Sequence, residues 1–412
     1  MTVKRLVARV LLIVLAAPLH SVQLAAETIH GTQSAQPEFD TARLRPKTTQ
    51  ANPGEDSPET TFQLLHHASS GIESRKWSDV INDTNRVLDI LAHDHDPESE
   101  VQALSLRSDA YAGMREFKLA RRDTEKALKI NKNIKPANLH LDAMLYGRLL
   151  NIAIHEKNLK DGNRFAKKML KADMENFGDD AAGYLPTLLR GADWYRLSSQ
   201  FHLERKLLKQ GIKLIETAYG ETDSRLSEPL RRLAQSCMYD HKDADMGEKA
   251  LRRAMKLTFS TPAEATRNKI ITTTELADHI VVFRDPATAS QLYEEAWKLI
   301  ANDPSGGKDI ANRNFNKVLQ LYYRMPRSPG EGMGADVYIV EGFTQAEFTV
   351  TALGTVEDVT IVDSARGMNS AKFIRAYEKA RYRPRIVDGK AVATRNVRHR
   401  TIYSSPGLPR NR

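Results

Sequence analysis

One cysteine, Cys237, stands in 412 residues. The chain therefore has no partner for an internal disulfide. Cys237 lies among Leu233, Ala234 and Met238 in a helical pattern, the setting of a small buried apolar residue; a nucleophilic thiol is the alternative. Long apolar runs are also scarce. Val10 to Ala17 is one, and nothing after it approaches the ~20 residues that span a bilayer. Catalytic signatures are missing: there is no P-loop, no G-x-S-x-G and no H-E-x-x-H. The expectation is a protein that is not an enzyme and uses no cofactor. His93-Asp-His-Asp96 alternates imidazoles and carboxylates as a metal site does, but without an identifiable further ligand it reads as a solvated loop. His66-His67 is a helical pair whose side chains point apart.

What is present bounds the class. The length calls for two or three domains. The hydrophobic content of 41% suffices for cores. The net charge of +9, from 61 Lys+Arg against 52 Asp+Glu, favours anionic surfaces weakly and says nothing of fold.

At the N-terminus Lys4, Arg5 and Arg9 precede the apolar run, and Ala25-Ala26 follow it. A basic segment, a short apolar segment and small residues make residues 1–26 a cleavable signal peptide. A retained anchor over residues 10–26 is the alternative, weakened by Pro18, His20, Ser21 and Gln23. The localisation expected is periplasmic, with only peripheral membrane contact and no nucleic-acid partner. Residues 27–60 are polar, rich in Pro, Thr and Gln, and aperiodic, and read as a disordered spacer.

From residue 61 to 325 helical periodicity dominates. A motif recurs at Val87, Ala127, Met169, Gly211, Ala254 and Ala296, at spacings of 40, 42, 42, 43 and 42. Ten residues before it stands a bulky group at Trp77, Phe117, Leu159 and Phe201; seven before stands a smaller one at Val80, Ala120, Gly162, Gly247 and Ala289. Bulky and small residues at fixed offsets describe two closely packed antiparallel helices. Ala120, Ala127, Gly162, Gly211, Ala254, Ala289 and Ala296 are the expected packing positions. The pattern, best copied in Asp109–Ile130, resembles the tetratricopeptide repeat, here with longer helices. The resemblance implies an all-α solenoid whose concave surface binds peptides or proteins. Asp309 to Arg324 reads as a capping helix, and residues 326–334 as a Pro/Gly linker.

Residues 335–404 change period. Ala346–Ala352 and Val356–Val362 alternate as strands about a Gly354 turn. Ser370–Arg381 carries Ala371, Phe373, Ile374, Tyr377 and Ala380 on one helical face, with Ser370 as N-cap. Pro384 ends the helix, Asp388-Gly389 turns the chain, and Val392–Tyr403 makes a last strand. Residues 405–412 read as a disordered tail. This is a small β-β-α-β, α+β domain. Val356, Val359, Ile361, Val362, Ser364, Arg381, Tyr382, Pro384, Gly389 and Lys390 resemble the C-terminal domain of TonB-type energy transducers. The resemblance implies transport across the outer membrane, with a partner's extended segment adding to an exposed strand. The partners it implies are outer-membrane receptors or other envelope proteins; an envelope-assembly scaffold without a transport role is the alternative. Residues 27–60 are not the long Pro-rich spacer of TonB itself.

Strand parity places Val356 opposite Val359 and Ile361, so the second strand is expected to be central, with apolar residues on both faces. The last strand, with Arg395, Val397, Arg398, Arg400 and Ile402, is then the outer, partner-binding one.

Overall fold

The computed structural model describes residues 58–178, 180–260, 266–302, 314–326, 339–365 and 370–406. The signal peptide, nearly all of the spacer, most of the linker and residues 407–412 lie outside these. The chain divides into two compact units, one within residues 33–214 and the other from residue 215 onward.

The first unit is built from helical hairpins. Helices α1 (Pro58–Glu73) and α2 (Trp77–Leu91), α3 (Pro97–Gly113) and α4 (Phe117–Asn131), α5 (Leu139–His155) and α6 (Leu159–Phe177), and α7 (Ala181–Leu197) with the head of α8 (Phe201–Tyr219) alternate along it. The second helix of each pair is one-sided: α2 buries Val80, Thr84, Val87, Ile90 and Leu91 at helical spacing. The first helix is enclosed on more of its surface; α3 buries every residue from Val101 to Leu106. That division fits a repeat in which one helix of each pair is sandwiched by its neighbours.

One turn is copied five times along the chain. Lys76, Glu116, Asn158, Gln200 and Lys242 each donate a backbone N–H to the carbonyl five residues earlier, at 2.7–3.0 Å. The residue before each donor, Arg75, Arg115, Lys157, Ser199 or His241, is left-handed, with φ between 53° and 64°. This is the Schellman closure of a helix, here built without glycine. The bulky residue heading the next helix then packs onto the end of the following first helix. Trp77 lies over Gly113, where a Cβ would fall 2.6 Å from the indole, and Phe117 stacks on His155 with centroids 4.8 Å apart.

In the second unit α9 (Ser227–Asp240) and α10 (Ala244–Ser260), then α11 (Thr266–Phe283) and α12 (Ser290–Ala301), continue the helical pairs. A strand-rich module follows: β1 (Leu319–Tyr322), β2 (Ile339–Val350), β3 (Val356–Ser364), α13 (Ser370–Glu378), β4 (Arg381–Arg383), β5 (Arg385–Val387), β6 (Lys390–Val392) and β7 (Thr394–Pro406). The main sheet is antiparallel in the order β3-β2-β7; β1 pairs with β4, and β5 with β6. The turn at Gly354, with φ +79°, brings its carbonyl to the N–H of Tyr382 at 2.9 Å. Ala346, Phe348 and Val350 of β2, Val356, Phe373 and Tyr377 of α13, Ala380 and Tyr382 form the core.

Four expectations are corrected. The central strand is β2, whose residues 342–350 alternate strictly between buried and half-buried; β3 lies at an edge. Val356, Val359 and Ile361 do share the core-facing side, because Asp358 at φ +55° sits in a bulge where the register slips by one residue. The extra residue resets the parity that regular alternation imposes. Finally, the expected capping helix over residues 309–324 gives way to β1 at Leu319–Tyr322. Pairing with β4, some 60 residues later, overrides local helical periodicity. Residues 309–313 lie outside the described residues. The last strand starts at Thr394, because residues 385–392 form a separate short hairpin about Asp388-Gly389.

Candidate partner-binding surfaces

The sheet presents one covered and one open face. Along β7 the side chains of Val397, His399 and Thr401 turn inward. Val397 packs on the core, His399 meets the Tyr323 and Tyr377 rings at 5.4 and 5.6 Å, and Thr401 bonds Tyr377 Oη at 2.7 Å. Burial pushes the His399 imidazole below its ordinary pKa. Arg398, Arg400 and Ile402 turn to the open face, and Ile402 is 56% exposed. Arg398 Nε donates to Glu347 at 2.6 Å, and the Arg400 guanidinium lies 4.1 Å from the Phe343 ring centre. Arg395 is exposed beside Asn396, whose φ of +56° accompanies the register slip opposite Phe348. The five residues expected as one partner-binding set therefore fall on two faces, with Val397 alone turned inward.

The sheet's two edges differ. Strand β3 slips register twice against β2, whereas β7 pairs without interruption from Val397 to Pro406. Bulges blunt an edge against further pairing; a regular strand leaves it open.

The module is fixed to the helices of its own unit by a buried ion pair. Arg383 Nε and Nη2 donate to the Asp278 carboxylate of α11 at 2.9 and 2.5 Å. Its Nη1 reaches the Asn314 carbonyl at 3.1 Å, and Tyr293 Oη donates to Asp278 at 2.8 Å. Burial disfavours the Arg383 charge, but Asp278 offsets this and holds the guanidinium above its ordinary pKa. His241 stacks between Phe283 and Tyr322, at 4.7 and 4.2 Å. Burial, with help from Arg324 and Arg381, pushes its pKa down. Neither contact was anticipated. The available signal was Asp278, an acid within the apolar run Leu276–Val282.

Among the expected packing positions, Ala120, Ala127, Gly162, Gly211, Ala254 and Ala296 are buried in helices; Ala289 is buried in a short 3₁₀ turn, Pro286–Ala289, ahead of α12. The Trp194 indole lies on Gly162 and donates to Asn163 at 2.8 Å. Charged groups bridge neighbouring first helices. Arg148 of α5 holds Asp109 of α3 through two bonds, at 2.9 and 2.8 Å. Arg231 of α9 holds Glu275 of α11 at 2.7 and 2.8 Å. Asp96, of the His-Asp-His-Asp stretch, caps α3 by accepting from Glu98 and Ser99. His67 bonds Asp83 at 2.6 Å. Among the described residues no group of three His, Cys, Asp or Glu is arranged to hold a metal, and no helix is long and apolar enough to cross a membrane.

No family model and no curated protein matches the chain. Several solved structures resemble it. BtubC (BKLC) from P. vanneervenii aligns at 15% identity and a TM-score of 0.42, over 67% of this chain and 98% of its own. Aspartyl phosphate phosphatase F from Bacillus subtilis aligns at 14% identity and 0.42, over 61% and 63%. The apo quorum sensor NprR from B. thuringiensis aligns at 13% identity and 0.40, over 59% and 66%. The repeat architecture itself is carried by the copied helix pairs and turns.

Proposed function

We propose that this protein is a non-enzymatic, cofactor-free adaptor whose helical repeats hold one protein while the β7 edge takes an extended segment of another. The register of β7 against β2, unbroken from Val397 to Pro406, is the observation that carries this reading. An added strand would gain affinity from backbone hydrogen bonds and selectivity from the alternating Arg398, Arg400 and Ile402 side chains. Together with the TonB-type motif in residues 343–403 and the signal-like N-terminus, this points to a periplasmic TonB-family adaptor linked to outer-membrane receptors. An envelope-assembly scaffold without transport is the second reading, favoured by the short spacer, which is ill suited to crossing the periplasm.

The test places a photo-crosslinking residue at position 402 of β7 and, separately, at position 357 of β3, in protein exposed to envelope extract. Adducts from position 402 that vanish in Val397→Pro but persist in Val397→Ala, which loses the same core contact and keeps the donor, are the expected outcome, since proline removes a donor from the strand. Equal adducts from both positions, or adducts indifferent to the proline, would overturn the β7 assignment. Receptors among the adducts would favour transport; assembly factors alone would favour the scaffold.

A further inference from the structure

The first helices of successive hairpins carry a repeated polar pair. One register position holds Leu106, Arg148 and Arg190; three residues on, another holds Asp109, Asn151 and Asp193, each spaced by 42. The rule linking the two columns is visible at Arg148, whose guanidinium grips the acid one repeat back, Asp109. By the same rule Arg190 should grip residue 151. That residue is Asn151, exposed on α5.

Arg190 is thus left without its carboxylate. Its guanidinium lies on the α5 backbone at Gly147, where a Cβ would sit 2.6 Å from Nη1 and 2.8 Å from Cζ. Among the described residues its one hydrogen bond runs from Nη2 to the Gly147 carbonyl, at 3.0 Å. Burial and the neighbouring Arg148 push its pKa below the ordinary value, against the pull of Asp109, Asp193 and Asp173. Two of those acids are engaged elsewhere: Asp109 by Arg148, and Asp173 by His140 and Thr187. Four of the five guanidinium N–H donors make no hydrogen bond among the described residues, and Asn151, one turn on from Gly147 in α5, is exposed. A planar fork next to an amide suits a carboxylate, which accepts from both.

We infer that Arg190 and Asn151 form a slot for an acidic side chain of a bound polypeptide, which takes the place that Asp109 fills for Arg148. The inference rests on reading the repeats as protein-binding, and it names the chemistry of the partner: a polypeptide segment that presents an Asp or Glu side chain.

A displayed library of random heptapeptides, selected on the full chain, is the probe. Asp and Glu should be enriched over Asn and Gln at one position. Peptides so recovered should bind Arg190→Gln about tenfold more weakly, the loss expected for one charge-assisted contact. Asn151→Asp supplies the missing carboxylate from within. It should abolish the acidic enrichment and raise the melting temperature by roughly 2–4 °C. Peptides enriched without acidic preference, or an unchanged preference in Asn151→Asp, would overturn the slot while leaving the protein-binding reading intact. A library that yields no enrichment would sink that reading and the slot with it.

Discussion

Arg383 and Arg190 are guanidinium groups drawn in among helices, and the chain settles them in opposite ways. Arg383 has a carboxylate in two-point contact, a carbonyl on its remaining nitrogen, and a tyrosine hydroxyl completing the acid's shell. Its side chain is 8% exposed and that of Asp278 is 6%. Arg190 keeps some contact with solvent and holds one backbone carbonyl. A charge removed from water needs a partner in proportion to its burial. The closed pair serves as a clamp. The half-open cation has unused donors, the property a recognition site requires. The repeat copies its scaffold faithfully but not each side chain, and function has room where the copy fails.

Breaking the closed pair should give the largest effect. Asp278→Ala leaves Arg383 buried and uncompensated, and should destabilise the second unit by about 3–5 kcal/mol. Denaturant unfolding followed by the fluorescence of Trp297, which lies beside Gly389 in this unit, checks it. A loss below about 1 kcal/mol would mean that the pair is solvated and that Arg383 resembles Arg190 after all. The converse change sharpens the contrast. Arg190→Met exchanges an underpaired cation for an apolar group of similar reach, and should leave stability unchanged or raise it by about 1 kcal/mol. A loss as large as that from Asp278→Ala would show Arg190 to be structural and erase the difference between the two sites.

These contacts also separate what was legible in the sequence from what was not. The helical pairs were legible because Trp77, Phe117, Leu159 and Phe201 keep phase with the small residues that follow them. The turns between paired helices were hidden, because the left-handed positions hold Arg75, Arg115, Lys157, Ser199 and His241 where glycine would have announced them. Parity failed in β3 because one bulged residue, Asp358, reverses it, and no local feature marks an aspartate as left-handed. Strand β1 was missed because its partner lies some 60 residues away, and a short apolar segment fits either period. The Asp278–Arg383 pair joins residues 105 apart. Sequence could flag the acid in its apolar run but could not say which arginine reaches it. The outer position of β7 was legible for a simpler reason: it carries Arg395, Arg398 and Arg400, and charges are tolerated on an edge.

The smallest effect belongs to a third guanidinium, which completes the series. Arg398 pairs with Glu347 at 2.6 Å across β7 and β2, and its side chain is 66% exposed. The contact is as short as those of Arg383, so distance alone would rank the two together. Solvent decides otherwise: an exposed pair gains little Coulomb energy, loses side-chain freedom and is screened by salt. Arg398→Ala should therefore change stability by about 0–1 kcal/mol, and by less at 1 M salt than at 0.1 M. Thermal unfolding of both proteins at the two salt concentrations measures it. A loss near that of Asp278→Ala would mean that the open face of the sheet is covered in solution and that the charge on β7 is buried there. A negligible loss accompanied by weaker adduct formation at position 402 would place the contribution of Arg398 in partner binding and leave the fold to the inward side chains of the same strand.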